Sequence, residues 1–202
     1  MQARADIAAI VLAAGRARRM GAFKPLLPFG PCSVIERVLA TLREAGVASV
    51  HVVVGWKADR LTPLLDREGV PWVRNDRFEE GMYASLQAGI RCLPPAVGAF
   101  FLFPGDMPLV RSTTLALLIA ERDRGPAGIL YPCCGGRRGH PPLIASSYAA
   151  EILQEAPAEG LRALLADHDD DARDVECADP GILVDLDTPE EYLRARGLHQ
   201  SG

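Results

Sequence analysis

The residues best suited to chemistry follow an apolar segment near the start of the chain. The stretch VLAAGRARRMGAFKPLLPF covers residues 11–29 and opens as an apolar run. Glycines allow backbone N–H groups to approach a ligand closely, and clustered cations favour an anionic ligand. The stretch therefore predicts an exposed phosphate-binding loop, with a solvated basic turn as the alternative interpretation. The glycines and cations of this loop are Gly15, Arg16, Arg18, Arg19, Gly21 and Lys24.

The loop does not match two widespread phosphate-binding motifs. A dinucleotide fingerprint that starts at Gly15 would need glycine at the positions of Ala17 and Met20. A P-loop would need a Gly-Lys pair followed by Ser or Thr, whereas Phe23 precedes Lys24 and a proline follows it. The sequence therefore favours a different kind of phosphate loop, or none.

Two further segments place carboxylates behind apolar runs. FFLFPGDMPLV holds Asp106 between a glycine and a Met-Pro pair, and GILVDLDTPEEY holds Asp185 and Asp187 two residues apart. We predict that both segments end strands, because ligands of open α/β sheets bind at the carboxyl ends of strands. Carboxylates opposite a polyphosphate are typical ligands of Mg²⁺. Each aspartate can alternatively serve only as a turn former or helix cap.

Composition limits the class of protein. The 202 residues are 49% hydrophobic and 24% charged, which predicts a globular protein with one domain over residues 1–202. The net charge of −4 gives no reason to expect nucleic acid or an anionic membrane as a partner. No apolar run approaches the ~20 residues of a membrane span. Five cysteines without a Cys-x-x-Cys pair favour reduced thiols, and we expect a cytoplasmic protein without a secretory signal.

Strand-like and helix-like patterns alternate along the chain. Ser33 and Glu36 have the spacing of a capping box, and Thr188-Pro189 is typical of a helix start. The alternation predicts a three-layer α/β/α fold with a doubly wound, mostly parallel sheet. Strands are predicted at 7–12, 49–55, 70–73, 98–103, 128–132, 141–145, 173–177 and 181–186. Helices are predicted at 33–46, 60–65, 81–93, 112–123, 148–155, 161–168 and 188–197.

Five segments, taken in order, resemble the nucleotidyltransferases of molybdenum cofactor maturation. They are LAAGRARRMGAFK, RNDRFEEGMYASL, FPGDMP, GHPPLI and DLDTPEEY. The resemblance runs from about residue 7 to about residue 196, and the order of the segments is more specific than any one of them. The chain is most similar to the cytidylyltransferase branch. That branch has Ala, here Ala14, where the guanylyl branch has Gly, and it carries a Gly-His-Pro, here Gly139-His140-Pro141.

The resemblance implies a role for each matching residue. Lys24, Arg19 and Asp106 would be catalytic, and the turn of Gly139, His140 and Pro141 would face the acceptor. Asp106 and Asp187 would hold Mg²⁺, although the sequence does not separate Asp185 from Asp187. The implied nucleotide pocket comprises Leu12, Ala13, Ala14, Gly15, Arg16, Arg19, Lys24, Arg74, Asn75, Ser85 and Asp106.

The function that the resemblance implies is transfer of CMP from CTP to the phosphate of a molybdopterin-type cofactor, with release of pyrophosphate. Such a reaction needs positioning and charge stabilisation rather than a protein nucleophile. The implied partners are CTP, the molybdopterin-type cofactor and a molybdenum hydroxylase apo-enzyme. Two alternatives stay open at this point. The same fold could use GTP or another phosphorylated acceptor such as a sugar phosphate, or the protein could bind and deliver the cofactor without catalysis.

Overall fold

A mostly parallel β-sheet forms the centre of the computed structural model, which describes residues 4–16, 19–125, 127–154 and 160–200. Within these residues the sheet has eight strands in the order β10-β7-β9-β6-β1-β4-β5, with β8 beside β7. Strand β9 runs antiparallel between β6 and β7, and β2 and β3 form a separate small hairpin. The strands are β1 (Arg4–Ala13), β2 (Pro28–Phe29), β3 (Cys32–Ser33), β4 (Val47–Val54), β5 (Trp72–Arg74), β6 (Ala99–Pro104), β7 (Ile129–Cys134), β8 (Arg137–Arg138), β9 (Leu143–Ala145) and β10 (Ala172–Glu176).

Helices cover both faces of the sheet, which confirms the predicted three-layer α/β/α fold. The helices are α1 (Val34–Glu44), α2 (Ala58–Arg67), α3 (Met82–Ile90), α4 (Ser112–Arg124), α5 (Ala149–Ile152), α6 (Leu161–Asp167) and α7 (Pro189–Gln200). The apolar faces of α1, α2 and α4 pack in one core, and those of α3, α5 and α6 pack in the other. Helix α7 packs through Ala195 on a third, smaller cluster that includes Phe29 and Leu186.

Strand β1 shows why the first apolar run is continuous rather than alternating. Ile7, Ala9 and Val11 enter the core beneath α1, whereas Ala8 and Ile10 enter the core beneath α3. A central strand that is buried on both faces needs apolar residues at every position. Because β1, β4, β5 and β6 are parallel, their carboxyl ends lie at one edge of the sheet.

Both predicted helix starts are confirmed. The Ser33 hydroxyl accepts a hydrogen bond from the Glu36 backbone N–H, and the Glu36 carboxylate accepts one from the Ser33 N–H. Thr188 and Glu191 repeat this reciprocal arrangement in front of α7. Each pair satisfies N–H groups that the first helical turn leaves without a partner.

The predicted strand at 181–186 is wrong. Pro180–Leu183 form a 3₁₀ turn instead, and Asp185 and Asp187 follow it in irregular backbone. The turn is made by the buried Asp179 carboxylate, which accepts hydrogen bonds from Gly181 N–H and from Thr114 Oγ1 on α4. The two aspartates therefore do not follow a strand, whereas Asp106 lies in the turn directly after β6.

The helix predicted at 148–155 is shorter than expected. Only Ala149–Ile152 are α-helical, and a 3₁₀ turn over Ser146–Tyr148 precedes them. Glu155 lies outside the described residues.

Two predictions from composition concern the cysteines and membrane-spanning segments. All five cysteines are free, as the reduced-thiol interpretation predicts. Among helices in the described ranges, none combines the length and apolarity that crossing a bilayer requires.

Gly89→Ala should destabilise the protein, because α3 packs against β1 at this position. A Cβ atom on Gly89 would lie 2.4 Å from Ile10 Cγ2, so the core must shift at a cost of about 1–3 kcal/mol. Gly197→Ala is the matched control, since a Cβ atom there meets nothing within 4 Å and alanine favours a helix by about 0.5–1 kcal/mol. Urea unfolding of both variants checks the difference, and equal stabilities would contradict the packing described.

Candidate active site

Three segments that are distant in sequence meet at the carboxyl edge of the sheet. They are the loop after β1, the turn after β6 and the irregular segment before α7. Gly105 N–H donates to the Leu12 carbonyl over 2.9 Å, and Leu186 N–H donates to the Asp106 carbonyl over 3.2 Å. A Cβ atom on Gly105 would lie 2.9 Å from the Leu12 oxygen, so the turn needs glycine to come this close. These backbone contacts hold the three segments together.

Lys24 connects the loop with both acidic segments. Its ammonium Nζ donates to Asp106 Oδ2 over 2.8 Å and to Asp187 Oδ1 over 2.6 Å. Lys24 opens a 3₁₀ turn that Pro25 continues, and only 9% of the residue is exposed. Arg19 pairs with the second oxygen of Asp187 from the outer side. The predicted basic loop and the predicted acidic groups therefore lie in direct contact.

The electrostatics of this cluster favour the charged forms of Lys24 and Asp187. Burial by itself would lower the pKa of Lys24, but Asp106 and Asp187 outweigh it and the pKa is raised. The hydrogen bond from Lys24 lowers the pKa of Asp187, and the charges of Lys24 and Arg19 lower it further. The Lys24–Asp187 pair is therefore ionised near neutral pH.

Asp185 has different surroundings from Asp187. Partial burial raises its pKa, and the negative charges of Asp187 and Asp106 raise it further. In the part of the chain that the structure describes, Lys24 and Arg19 pair with Asp187 and not with Asp185. The structure thus separates two aspartates that the sequence leaves equivalent.

Two adjoining cavities open beside Lys24 and Asp106. Both are lined by Leu12, Gly15, Arg16 and Asp106. A Cβ atom on Gly15 would meet nothing within 4 Å, so the backbone at this position faces open space. The smaller cavity adds Ala13, Lys24, Pro25 and Gly105. The larger cavity, of about 380 Å³, adds Ala14, Phe78, Glu79, Gly81, Met82, Ser85 and Pro104.

Phe78 and Met82 form a wall of the larger cavity that the sequence did not predict. Arg16 lies over the Phe78 ring at 5.6 Å from its centroid and pairs with Glu79. Met82 is 57% exposed at the start of α3, although it is a large apolar residue. Both residues lie in the segment RNDRFEEGMYASL, but their type alone does not distinguish them from core residues.

The three residues predicted to complete the nucleotide pocket have different positions. Ser85 lines the larger cavity, and the buried Asn75 donates from Nδ2 to Ser85 Oγ over 2.9 Å. Asn75 also accepts from Arg77 N–H, so it supports Ser85 from behind. Arg74 lines neither cavity, because its guanidinium pairs at the surface with Asp59 over 3.2 Å. The structure therefore does not bring Arg74 into the pocket. Arg18 lies outside the described residues.

The Gly139-His140-Pro141 turn borders a further cavity. Gly139 N–H donates to the Pro132 carbonyl, and His140 N–H donates to the Ile182 carbonyl over 2.9 Å. A Cβ atom on Gly139 would lie 2.5 Å from the Ile182 oxygen, so this close approach needs glycine. Gly139 and His140 line the cavity, whereas Pro141 is buried behind it.

This further cavity has an apolar wall and a basic wall. Leu161 and Leu165 of α6 provide the apolar wall, and Met82 lines both this cavity and the larger one beside Asp106. The Arg138 guanidinium carbon lies 4.5 Å from the centroid of the Tyr131 ring. The same guanidinium forms salt bridges with Asp169 and Asp174. Arg162 also lines the cavity. Among the described residues it has no carboxylate partner.

The side chains at Lys24 suit a hard divalent cation only together with further ligands. Within the described ranges no group of three or more His, Cys, Asp or Glu side chains could hold a metal by itself. Asp106 Oδ2 and Asp187 Oδ1 nevertheless converge on one nitrogen, so two carboxylate oxygens face a common point. Mg²⁺ is commonly held by one or two carboxylates, with waters and substrate phosphates completing its shell. The donor set fits that pattern.

Comparisons with known proteins agree with this fold. The family profile of the MobA-like NTP transferase domain matches residues 9–172. The molybdenum cofactor cytidylyltransferase of Escherichia coli (strain K12) is 24% identical over 192 residues, which are 93% of this chain and 94% of that protein. A nucleotidyl transferase from Methanothermobacter thermautotroptrophicus, Mth528, superposes with a TM-score of 0.84 at 26% identity and covers 98% of this chain and 99% of its own.

A mycobacterial structure is similarly close. Rv0371c from Mycobacterium tuberculosis H37Rv superposes with a TM-score of 0.81 at 26% identity and covers 95% of this chain and 98% of its own. That protein has also been solved in complex with manganese. The fold and the site together define an enzyme of the nucleotidyltransferase type. The chain belongs to the family of MobA-like NTP transferase domains.

Asp185→Asn should lower the pKa of His140. The ring is accessible from the cavity yet surrounded by protein atoms, and this desolvation lowers its pKa, whereas the charges of Asp185 and Asp106 partly oppose the shift. Removing one opposing charge leaves the neutral imidazole favoured down to a lower pH. An NMR titration of the ring protons checks this, with His51 as the internal control, since burial alone lowers its pKa. An unchanged or higher midpoint for His140 would contradict the described surroundings.

Proposed function

We propose that the enzyme transfers CMP from CTP to the phosphate of a molybdopterin-type cofactor and releases pyrophosphate. The observation that carries the proposal is that the larger cavity, lined by Arg16 and Asp106, shares Met82 with the cavity lined by His140 and Arg162. Two substrates can then meet near Asp106. The similarity to the E. coli molybdenum cofactor cytidylyltransferase, which extends over nearly the whole of both chains, supports this choice of substrates.

The nucleotide occupies the cavities beside the loop after β1. The open backbone at Gly15 and the cations Arg16, Arg19 and Lys24 bind the triphosphate, because ammonium and guanidinium groups make strong charge-assisted hydrogen bonds to phosphate. Leu12, Ala13 and the buried Ala14 border the base. Ser85, held by Asn75, supplies a hydroxyl on the opposite wall. Arg74 is left out of this assignment, since its side chain points to surface carboxylates.

Asp106 and Asp187 are the residues that would hold Mg²⁺, with Asp185 beside them as a source of additional negative charge. Bound there, the cation would offset negative charge on the phosphates as pyrophosphate leaves. The remaining work belongs to the chain itself. Lys24 and Arg19 orient the triphosphate. Because Gly15 has no side chain, the phosphates can lie close to the backbone of the loop. The acceptor phosphate can then attack the α-phosphate in line.

The acceptor occupies the cavity bordered by Gly139 and His140. The Arg138 guanidinium stacked on the Tyr131 ring offers a flat surface suited to a fused heteroaromatic ring such as a pterin. Arg138 is already neutralised by Asp169 and Asp174. Arg162 is the cation of this cavity that remains available for an anionic group of the acceptor.

Pyrophosphate release tests the proposal directly. The purified protein should release pyrophosphate from CTP only when a molybdopterin-type acceptor and Mg²⁺ are both present. CTP should support a higher kcat/KM than GTP, because the Ala14 side chain narrows the space for the nucleotide base. Asp106→Asn should fold normally and lose roughly a hundredfold in turnover, which is the scale of removing a key electrostatic group. Higher activity with GTP would overturn the choice of base. Near-normal turnover of Asp106→Asn would overturn the role of Asp106.

Arg162→Met should raise the KM for the acceptor about tenfold and leave the KM for CTP unchanged, because one charge-assisted hydrogen bond is lost on the acceptor side only. Methionine keeps much of the aliphatic stem. Arg194→Met is the matched control, since Arg194 is an exposed arginine on α7 that lines none of the three cavities described above. Steady-state kinetics with each substrate varied in turn provide the measurement. A rise in the KM for CTP instead would place Arg162 on the wrong side of the site.

A further inference from the structure

Lys24 lies where the two metal-binding carboxylates of the proposed function converge. Its Nζ is 2.8 Å from Asp106 Oδ2 and 2.6 Å from Asp187 Oδ1. The residue is 9% exposed, so the ammonium has left most of its hydration for these two partners. In the free protein Lys24 is therefore a buried cation that pairs with two carboxylates, and not a solvent-exposed side chain.

The same oxygens cannot serve Lys24 and a divalent cation together. A cation such as Mg²⁺ lies about 2.0–2.1 Å from its oxygen ligands, and an ammonium in the same gap would be repelled by it. Charge balance leads to the same conclusion. Lys24 and Arg19 offset the charges of Asp106 and Asp187, so in the free protein the attraction of this pair for a further cation is much reduced.

The structure also contains a place for a displaced ammonium. Lys24 lines the smaller cavity together with Gly15 and Arg16, which is the position we propose for the triphosphate. Lysine is a compact charge on a flexible four-carbon stem, whereas arginine binds carboxylates with a rigid fork. Lys24 is one of two lysines in a chain with 20 arginines. The position therefore holds lysine, the cation whose flexible side chain can move from the carboxylates to another partner.

We infer that Lys24 is the resident cation of the Asp106–Asp187 pair in the free enzyme and is exchanged for a divalent cation when a nucleoside triphosphate binds. Lys24 moves from carboxylate to phosphate as the metal takes its place. The inference rests on the proposed function for the identity of the site, and it adds a coupling that the site assignment does not contain. The free enzyme binds divalent cations weakly, and nucleotide and metal enter together.

Metal binding to the nucleotide-free protein tests this coupling without any turnover. Mn²⁺ is the probe, and electron paramagnetic resonance measures the free ion. Lys24→Met should bind Mn²⁺ at least about tenfold more tightly than the native protein, because two carboxylates lose the charge that neutralised them. Lys57→Met, which changes the other lysine of the chain, should bind as the native protein does. Its ammonium lies over the Trp56 ring.

Two further variants keep the test decisive. In Lys24→Met/Asp106→Asn the gain in Mn²⁺ affinity should disappear, which places the new binding at the pair. Lys24→Gln serves as a second neutral variant if Lys24→Met does not fold, since its amide can still donate to the carboxylates. In thermal melts, Mn²⁺ should raise the Tm of the Lys24 variant more than that of the native protein, because binding to the folded state stabilises it.

The outcomes separate the two proposals. Equal Mn²⁺ affinity for native and Lys24 variants, or a gain that survives the Asp106→Asn change, would overturn the exchange. Pyrophosphate is not measured in this experiment, so a failure of the proposed substrates would leave these results unaffected. A normal cytidylyl transfer activity together with tight Mn²⁺ binding by the nucleotide-free native protein would reject the exchange and retain the function.

Discussion

The bridging of Asp106 and Asp187 by the Lys24 ammonium is the interaction on which the site depends. Lys24 lies 82 residues from Asp106 and 163 from Asp187 in sequence, and yet both distances are below 3 Å. Two carboxylates this close would repel each other and raise each other's pKa without a cation between them. One buried charge therefore allows three segments to pack at a single point. It also lowers the pKa of Asp187, which keeps that carboxylate ionised.

The parallel sheet supplies the positions that the charges need. Because β1 and β6 are adjacent and parallel, the loop after one and the turn after the other begin side by side. The segment before α7 belongs to no strand and is held by single backbone hydrogen bonds, from Leu186 to Asp106 and from His140 to Ile182. Those two bonds join the turn after β6 to the turn of Gly139, His140 and Pro141 through this segment. Side chains such as Met82 and Arg162 form the walls of the cavities above this edge.

Much of the fold was predictable from local patterns. A continuous apolar run such as Ile7–Leu12 predicts a strand buried on both faces, and Ser33 with Glu36 predicts a helix start, because both signals depend on neighbours in sequence. The prediction of a strand at 181–186 was wrong because it also relied only on neighbours in sequence. Its apolar residues suit a strand, but the turn is made by the Asp179 carboxylate, which is fixed by Thr114 on a different element. The family resemblance pointed to Lys24, Asp106 and Ser85, which line the cavities. It also pointed to Arg74, whose side chain lies at the surface.

The sequence by itself determined the alternation of strands and helices, the helix caps, and the presence of a basic glycine loop and acidic turns. These properties follow from residue type and from spacing over a few positions. Tertiary structure alone decided that Lys24 lies between two aspartates, that Asp187 rather than Asp185 pairs with the cations, and that Met82 lies in two cavities. Each of these facts depends on contacts between segments many tens of residues apart. Such contacts are set by the packing of whole elements, and no local pattern encodes them.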